Sequence, residues 1–257
     1  MAVSYSPDGA VGYITLDKPP ANSYDKDFMD EFGAAVDAAA SDAGVSVVIV
    51  RSASKKFFSA GADIKAFMAN DKAANMAMIE RGHEVLASIA RLPKIFIAQV
   101  EGHALGGGLE ISLACDLRFG ARGSYKLGVP EVTLGLLPGN GGTQRLPRII
   151  GVPKALDLMI TGRPVSPGEA HGLGILNRLF AAGETAEKTR AYAEQLAGGA
   201  TAAIAEIKAT TYAGIELKMA DALAREREGI ARLFDTADAA EGFASFSEKR
   251  KPEFKGV

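Results

Sequence analysis

The first half of the chain alternates short runs of β-branched residues with stretches in which apolar residues recur at helical spacing. Two of these runs, Val45–Val50 and Ile95–Val100, are apolar at almost every position, which is the pattern of a parallel strand covered on both faces. The stretch Lys72–Ala90 lies between them and has helical periodicity. Strand, helix and strand in this order predict an α/β core with parallel pairing.

Further elements follow from the same patterns. Additional strands are predicted at Val11–Leu16, Asp116–Ala121 and Ile175–Phe180. Additional helices are predicted along the face of Phe28, Phe32, Val36 and Ala39, at Leu105–Leu113, at Pro153–Thr161, from Ser166-Pro167 onward, and at 185–197, 201–214, 218–235 and 238–249. No linker rich in proline or serine interrupts the chain. We therefore predict an α/β core over residues 1–195 and a C-terminal helical region over residues 196–257.

Charge and composition exclude several classes of function. Lys and Arg number 29 against 31 Asp and Glu, so a net charge of −2 gives no global attraction for nucleic acid or an acidic membrane. The single cysteine, Cys115, excludes internal disulfides, and three scattered histidines make a metal site unexpected. No apolar run reaches the roughly 18 residues of a membrane span, and residues 1–10 lack the features of a signal peptide. We expect a cytoplasmic protein; a mature organellar form already trimmed of its transit peptide is the open alternative.

Glycine is the unusual component, with 29 of 257 residues, or about 11%, against an average near 7%. Three clusters follow predicted strands, at Phe58–Lys65, Glu101–Glu110 and Pro138–Thr143. None is followed by the lysine of a P-loop, and the dinucleotide fingerprint GxGxxG is absent. The clusters are therefore not phosphate cradles of either kind.

A glycine-rich turn that opens a helix exposes backbone N–H groups, and the helix dipole adds positive potential there. Two such turns facing each other would form an oxyanion hole, and the first two clusters fit this arrangement. Tight packing of strand against helix is the alternative explanation of the same glycines. Two glutamates lie beside the clusters: Glu110 in the first turn of a predicted helix, and Glu131 in apolar surroundings where a carboxylate is costly unless paired or functional. Two carboxyl groups on one water molecule can divide the roles of base and acid.

Four segments together resemble the enoyl-CoA hydratase/isomerase (crotonase) superfamily, and most closely a 2-enoyl-CoA hydratase. They are Ser59–Lys65 (SAGADIK), Ile97–Asp116 (IAQVEGHALGGGLEISLACD), Leu127–Pro147 (LGVPEVTLGLLPGNGGTQRLP) and Glu241–Pro252 (EGFASFSEKRKP). The resemblance covers nearly the whole chain. It implies a crotonase-like spiral of ββα units with a C-terminal helical extension that mediates a homo-trimer or a hexamer made as a dimer of trimers.

The resemblance also implies a substrate and a reaction. An acyl-CoA thioester would place its carbonyl oxygen between the backbone amides of Ala62 and Gly107. Glu110 and Glu131 match the two glutamates of the family's hydratases, which add water across a trans-2-enoyl-CoA to give a 3-hydroxyacyl-CoA in fatty-acid or related catabolism. Glu131 is assigned the proton that goes to the α-carbon. No cofactor and no metal are expected, because coenzyme A is part of the substrate.

Substrate-binding positions are implied in the same way. Ala60, Asp63, Ile64 and Lys65 are expected along the pantetheine and nucleotide, and Gly139 in the wall of the acyl pocket. Lys65 is placed either near a phosphate or in solvent at a helix start.

One departure from the family pattern lies near the N-terminus. Asn22-Ser23-Tyr24 stands where family members often read Asn-Ala-Leu, and we expect it to influence acyl preference without a direct part in the chemistry. A double-bond isomerase and a non-catalytic acyl-CoA binder stay open as alternatives, whereas the near-neutral charge disfavours an RNA-binding relative.

Overall fold

Strands of two sheets alternate along the chain in the computed structural model, which describes residues 1–257. The larger sheet contains β1 (Val3–Asp8), β2 (Val11–Leu16), β3 (Val47–Ser52), β5 (Ile95–Val100), β7 (Leu117–Ala121) and β9 (Arg178–Phe180), in the order β1-β2-β3-β5-β7-β9. The smaller sheet contains β4 (Phe57–Ser59), β6 (His103–Leu105) and β8 (Leu127–Gly128), in that order. Every neighbouring pair is parallel except β1 with β2.

Helices follow or connect these strands. They are α1 (Lys26–Ser41), α2 (Ile64–Ala69), α3 (Lys72–Arg91), α4 (Gly107–Ala114), α5 (Gly142–Ile150), α6 (Val152–Thr161), α7 (Pro167–Leu173), α8 (Thr185–Ala197), α9 (Thr201–Gly214), α10 (Met219–Phe234) and α11 (Ala237–Glu248). A short 3₁₀-helix spans Glu131–Leu134. No helix combines the length and the apolar character that crossing a bilayer requires.

Successive turns of the chain repeat one pattern. Strand β3 of the larger sheet leads to β4 of the smaller sheet and then to α2 and α3; β5 leads to β6 and α4; β7 leads to β8, the 3₁₀-helix and α5. After β9, α8 returns to the larger sheet, and α9, α10 and α11 form the C-terminal extension. The predicted fold class, an α/β crotonase-like spiral of ββα units with a C-terminal helical extension, is confirmed.

The apolar run in β3 is explained by layers on both of its faces. Val48 and Val50 point into the main core, whereas Val47 and Ile49 belong to a second cluster on the opposite face. Helix α8 covers that second face through Ala193. Because successive side chains of a strand alternate between faces, a strand covered on both sides must be apolar throughout.

Side-chain caps fix where several helices begin. Ser166 Oγ accepts from Glu169 N at 3.2 Å, and Pro167 is the first helical residue of α7, as the sequence predicts. The carboxylates of Asp25, Asp63 and Asp71 cap α1, α2 and α3 in the same way. The predicted helical face of α1 is fully buried.

Some boundaries and elements differ from the sequence prediction. The run Val45–Val50 forms a strand only from Val47, and Leu105–Leu113 divides between the end of β6 and α4. Three elements of the smaller sheet were not predicted because strands of two or three residues are too short to show a period. Helix α5 was not predicted either, because it begins with Gly142 and contains Pro147, and both residue types are typical of loops. The predicted division between residues 195 and 196 falls in the last turn of α8 and stays a prediction.

A buried ion pair connects the C-terminal helices to the core. Lys208 of α9 donates from Nζ to Asp116 Oδ2 at 2.9 Å, and to the carbonyl oxygens of Ile89 and Lys94, each at 2.7 Å. The side chains of Lys208 and Asp116 are 3% and 9% exposed. Burial lowers the pKa of Lys208, although the Asp116 carboxylate opposes this shift.

The variant Lys208→Met should lower the free energy of unfolding by about 3–5 kcal/mol, because it leaves the Asp116 carboxylate buried without its cation. Urea denaturation measures this change. Lys26→Met is the matched control, since the Lys26–Asp30 pair is largely exposed and should contribute less than about 1 kcal/mol. Equal destabilisation by both variants would contradict the role given to Lys208.

Candidate active site

A cavity of about 940 Å³ opens where the smaller sheet meets α2, α3 and the 3₁₀-helix. Its wall is mainly apolar and includes Ile64, Phe67 and Leu105. Glu110 and Glu131 both contribute to the same wall. An apolar cavity with a few converging polar groups is the usual form of a small-molecule site.

The two amides predicted as donors are free of partners within the chain. Tyr24 N donates to Gly61 O at 2.9 Å and Asp63 N donates to Tyr24 O at 2.8 Å, so Ala62 lies between two paired residues with its own N–H unpaired. Gly107 is the first residue of α4, where the N–H has no acceptor within the helix. Both Ala62 and Gly107 line the cavity.

Glycine lets the two loops that carry these amides approach each other. Gly61 has a φ of +90°, and a Cβ there would lie 2.7 Å from Leu105 O and 3.1 Å from Gly107 N. A Cβ at Gly108 would overlap the carbonyl of Ser59. Parallel pairing of β4 with β6 brings these segments side by side. The sequence left two explanations of these glycines, close packing and exposed backbone amides. Both apply to the two loops that follow β4 and β6.

Glu110 is 1% exposed and is held by the loop before α5. Its Oε1 accepts from Asn140 N at 2.8 Å and from Gly142 N at 2.6 Å. Burial raises the pKa of Glu110 to about 7, with a further upward contribution from Glu131, while the Gly142 and Asn140 amides and Arg145 oppose the shift. Glu110 therefore titrates close to neutral pH.

Glu131 is half-buried at the start of the 3₁₀-helix. Its Oε1 lies beside Gly106, where a Cβ would be only 2.8 Å away. Its Oε2 is buried and has no hydrogen-bond partner in the chain. Burial raises the pKa of Glu131. Burial of a carboxyl oxygen without a hydrogen-bond partner costs free energy. We therefore expect this atom to carry a proton or to accept a hydrogen bond from a bound molecule.

Tyr24 lines the cavity beside Gly107, a contact that the sequence does not predict. Its side chain lines the cavity, and a Cβ on Gly107 would overlap its hydroxyl group. Asn140 Nδ2 donates to Tyr24 Oη at 2.5 Å. The expectation that Tyr24 takes no direct part in the chemistry stays a prediction, and its place in the cavity wall is consistent with the expected effect on acyl preference. The only signal available was the departure from the family's leucine.

Of the five residues predicted to bind substrate, three line the cavity and two do not. Ala60, Ile64 and Gly139 line the cavity. Asp63 and Lys65 do not: the Asp63 carboxylate caps α2 by accepting from Lys65 N at 2.9 Å, and the Lys65 side chain is exposed. Lys72, which sequence reasoning missed, lines the cavity at the start of α3.

Comparison with known proteins identifies the family. The model of a family described as Enoyl-CoA hydratase/isomerase matches residues 7–257. The chain belongs to this family.

Individual members of the enoyl-CoA hydratase/isomerase family agree with the assignment. A Bacillus subtilis protein named "Probable enoyl-CoA hydratase" is 39% identical over 259 residues, covering 99% of both chains. The human "Enoyl-CoA hydratase domain-containing protein 2, mitochondrial" is 39% identical, covering 97% of this chain and 87% of its own. The crystal structure of an enoyl-CoA hydratase from Geobacillus kaustophilus is 44% identical, with a TM-score of 0.97 over 100% of this chain and 97% of that one. The resemblance read from the sequence is confirmed.

In this member of the enoyl-CoA hydratase/isomerase family, Glu110 should lower stability at alkaline pH. Its pKa is about 7 in the folded chain and near 4.5 when solvated, so the folded state loses stability as pH rises from about 4.5 to 7. Glu110→Gln keeps an acceptor for the two amides and carries no charge. At pH 8 it should be more stable than the parent by on the order of 3 kcal/mol, since the two pKa values differ by about 2.5 units and one unit is worth about 1.4 kcal/mol.

Urea denaturation at pH 4.5 and pH 8 measures this difference, which should disappear at the lower pH. Glu187→Gln, on the exposed face of α8, is the matched control and should change stability little at either pH. A Glu110→Gln variant no more stable than the parent at pH 8 would show that burial does not destabilise the carboxylate.

Proposed function

We propose that the protein is an enoyl-CoA hydratase, which adds water across a trans-2-enoyl-CoA to give a 3-hydroxyacyl-CoA. The observation that carries the proposal is the meeting of two glutamates, one buried and one half-buried, and two unpaired backbone amides in one apolar cavity. Membership of the enoyl-CoA hydratase/isomerase family supports an acyl-CoA thioester as substrate.

The amides of Ala62 and Gly107 are proposed to bind the thioester carbonyl oxygen. When a nucleophile adds to the β-carbon, negative charge moves onto this oxygen and an enolate forms. Two fixed N–H donors stabilise the enolate more than the neutral thioester, and each such donor contributes about 3–4 kcal/mol in comparable sites. The start of α4 adds the positive end of a helix dipole beside Gly107.

The two glutamates are proposed to share one proton at neutral pH, because the two carboxyl groups repel each other's charge. Glu110 Oε1 receives two N–H donors, which favours its carboxylate form. Glu131 Oε2 has no donor, which favours retention of the proton there. Glu110 would then take a proton from water as the oxygen bonds to the β-carbon, and Glu131 would give its proton to the α-carbon.

This division distinguishes hydration from double-bond migration. An isomerase moves one proton between carbon atoms and needs a single acid–base group, whereas hydration needs a group for the water as well. The two amides that hold Glu110 orient a second carboxyl group in the cavity. We therefore place hydration ahead of isomerisation and of simple acyl-CoA binding.

The C-terminal helical region, residues 196–257, is proposed to assemble the chain into a homo-trimer or a dimer of trimers. Large apolar side chains are exposed there, among them Ile215, Met219, Ile230, Phe234 and Phe246. Exposed apolar groups gathered in one region are typical of protein interfaces. Light scattering of the purified protein should give three or six times the mass of one chain; the mass of a single chain would refute the proposal.

The deciding experiment is hydration of crotonyl-CoA and longer trans-2-enoyl-CoA substrates, followed as loss of the absorbance of the conjugated enoyl thioester. We expect hydration by the parent protein, and a kcat lower by about 10²–10⁴-fold for Glu131→Gln, the range of a general acid or base.

Glu187→Gln serves again as the matched control and should retain parental rates. If no chain length is hydrated while a 3-enoyl-CoA is converted to the conjugated 2-enoyl form, the protein is an isomerase. Tight binding of acyl-CoA without either reaction would identify a binder instead.

A further inference from the structure

Tyr24 contacts three parts of the cavity that the chain supplies from distant segments, one through its backbone and two through its side chain. Its backbone pairs with Gly61 and Asp63 on either side of Ala62. Its hydroxyl group lies against Gly107, and the same hydroxyl accepts from Asn140 Nδ2. Tyr24 is 4% exposed, and the exposed part faces the cavity.

Four residues contact Asn140, and one of them is Tyr24. Its backbone N–H donates to Glu110 Oε1 at 2.8 Å. Its carbonyl oxygen accepts from Arg145 Nη1 at 2.9 Å, and its side chain packs against Gly82 of α3. The Tyr24 hydroxyl is the one hydrogen-bond partner of the Asn140 side chain. Tyr24 therefore supplies the one hydrogen bond that orients the side chain of Asn140, beside the two that its backbone makes with Glu110 and Arg145.

We propose that Tyr24 is a positioning residue of this active site: its hydroxyl holds Asn140, and Asn140 in turn holds Glu110. The proposal rests on the function proposed above, in which Glu110 accepts the proton of the reacting water. Tyr24 acts through hydrogen bonds and takes no proton itself. Through these contacts Tyr24 connects the position of the Ala62 and Gly107 amides to the position of Glu110.

The state of the phenol fits this role. Burial, together with the Glu110 and Glu131 carboxyl groups, raises the pKa of Tyr24, so its hydroxyl stays neutral while the glutamates titrate. The other charged group that acts on Glu110 is Arg145, and its bond to the Asn140 carbonyl does not involve Tyr24. Removing the Tyr24 hydroxyl therefore weakens one amide bond to Glu110 and leaves its charged neighbours in place.

Tyr24→Phe in the full chain tests the proposal, since it keeps the ring against Gly107 and removes only the hydroxyl. The bond from Asn140 N to the Glu110 carboxylate should weaken, so the pKa of Glu110 should rise. We expect the acidic limb of the pH profile of kcat/KM to move upward by about half to one pH unit. With crotonyl-CoA, kcat should fall by about three- to tenfold while KM changes less than twofold.

Asn140→Ala removes the other partner of the same bond and keeps the backbone N–H. It should reproduce the shift of the pH limb, and the double variant should be no more impaired than Asn140→Ala alone. Tyr125→Phe is the matched control: Tyr125 is also buried, and its hydroxyl has two carbonyl oxygens, Val100 O and Ala121 O, as acceptors for its one proton, away from the cavity. It should lower the melting temperature and leave kcat and the pH limb unchanged.

A second readout does not need turnover. The ¹³Cδ signal of Glu110, assigned by its loss in Glu110→Gln, reports the ionisation of this carboxyl group directly. Its midpoint should move upward in Tyr24→Phe and stay in place in Tyr125→Phe. A midpoint unchanged by Tyr24→Phe, or effects of Tyr24→Phe and Asn140→Ala that add in full, would overturn the proposal. A parent protein that does not hydrate enoyl-CoA but shows the midpoint shift would refute the proposed reaction and retain the link from Tyr24 to Glu110.

Discussion

The cavity depends on an approach between two backbone segments that leaves no room for a Cβ. At Gly61 and Gly108, a side chain would meet the carbonyl groups of Leu105 and Ser59. The smaller sheet enforces this approach, because β4 and β6 pair directly before the two turns. The free amides of Ala62 and Gly107, the start of α4 and the position of Glu110 all follow from that pairing. The larger sheet and its helices serve as the support that holds the short strands in register.

The second constraint is the burial of two carboxyl groups in a mainly apolar wall. Such groups are unfavourable in a folded chain unless donors or a ligand compensate them. Glu110 is compensated in part by the amides of the Asn140–Gly142 turn, and Glu131 retains one oxygen without a partner. The resulting strain lies where chemistry is proposed, and the Lys208–Asp116 pair and the main core supply stability elsewhere. Stability and function are thus distributed to different parts of one spiral.

The sequence predicted the long elements well because their patterns are long. Strands β3 and β5 are apolar on both faces, and helices α1 and α3 are amphipathic. In each of them the pattern of apolar residues is long enough to identify the element. The strands of the smaller sheet have two or three residues and no period, so only the family resemblance pointed to them. Ala60, Ile64 and Gly139 were placed in the cavity by that resemblance, whereas the contacts of Tyr24 with Gly107 and Asn140 join residues 83 and 116 positions apart in the chain and leave no local signal. A side chain that acts across such distances becomes visible only once the backbone is placed.

One feature of the cavity bears on how such proteins can diverge. The proposed donors to the thioester are main-chain atoms, which remain whatever side chain a residue carries, unless proline removes the N–H. On the proposed function, exchange of the lining residues Ile64, Phe67 and Leu105 would admit a longer, branched or aromatic acyl group and keep the N–H groups proposed to bind its carbonyl oxygen. The residues that would select the acyl group are thus different from those proposed to react with it, so a family of such proteins could change its substrates by mutation of the cavity wall alone.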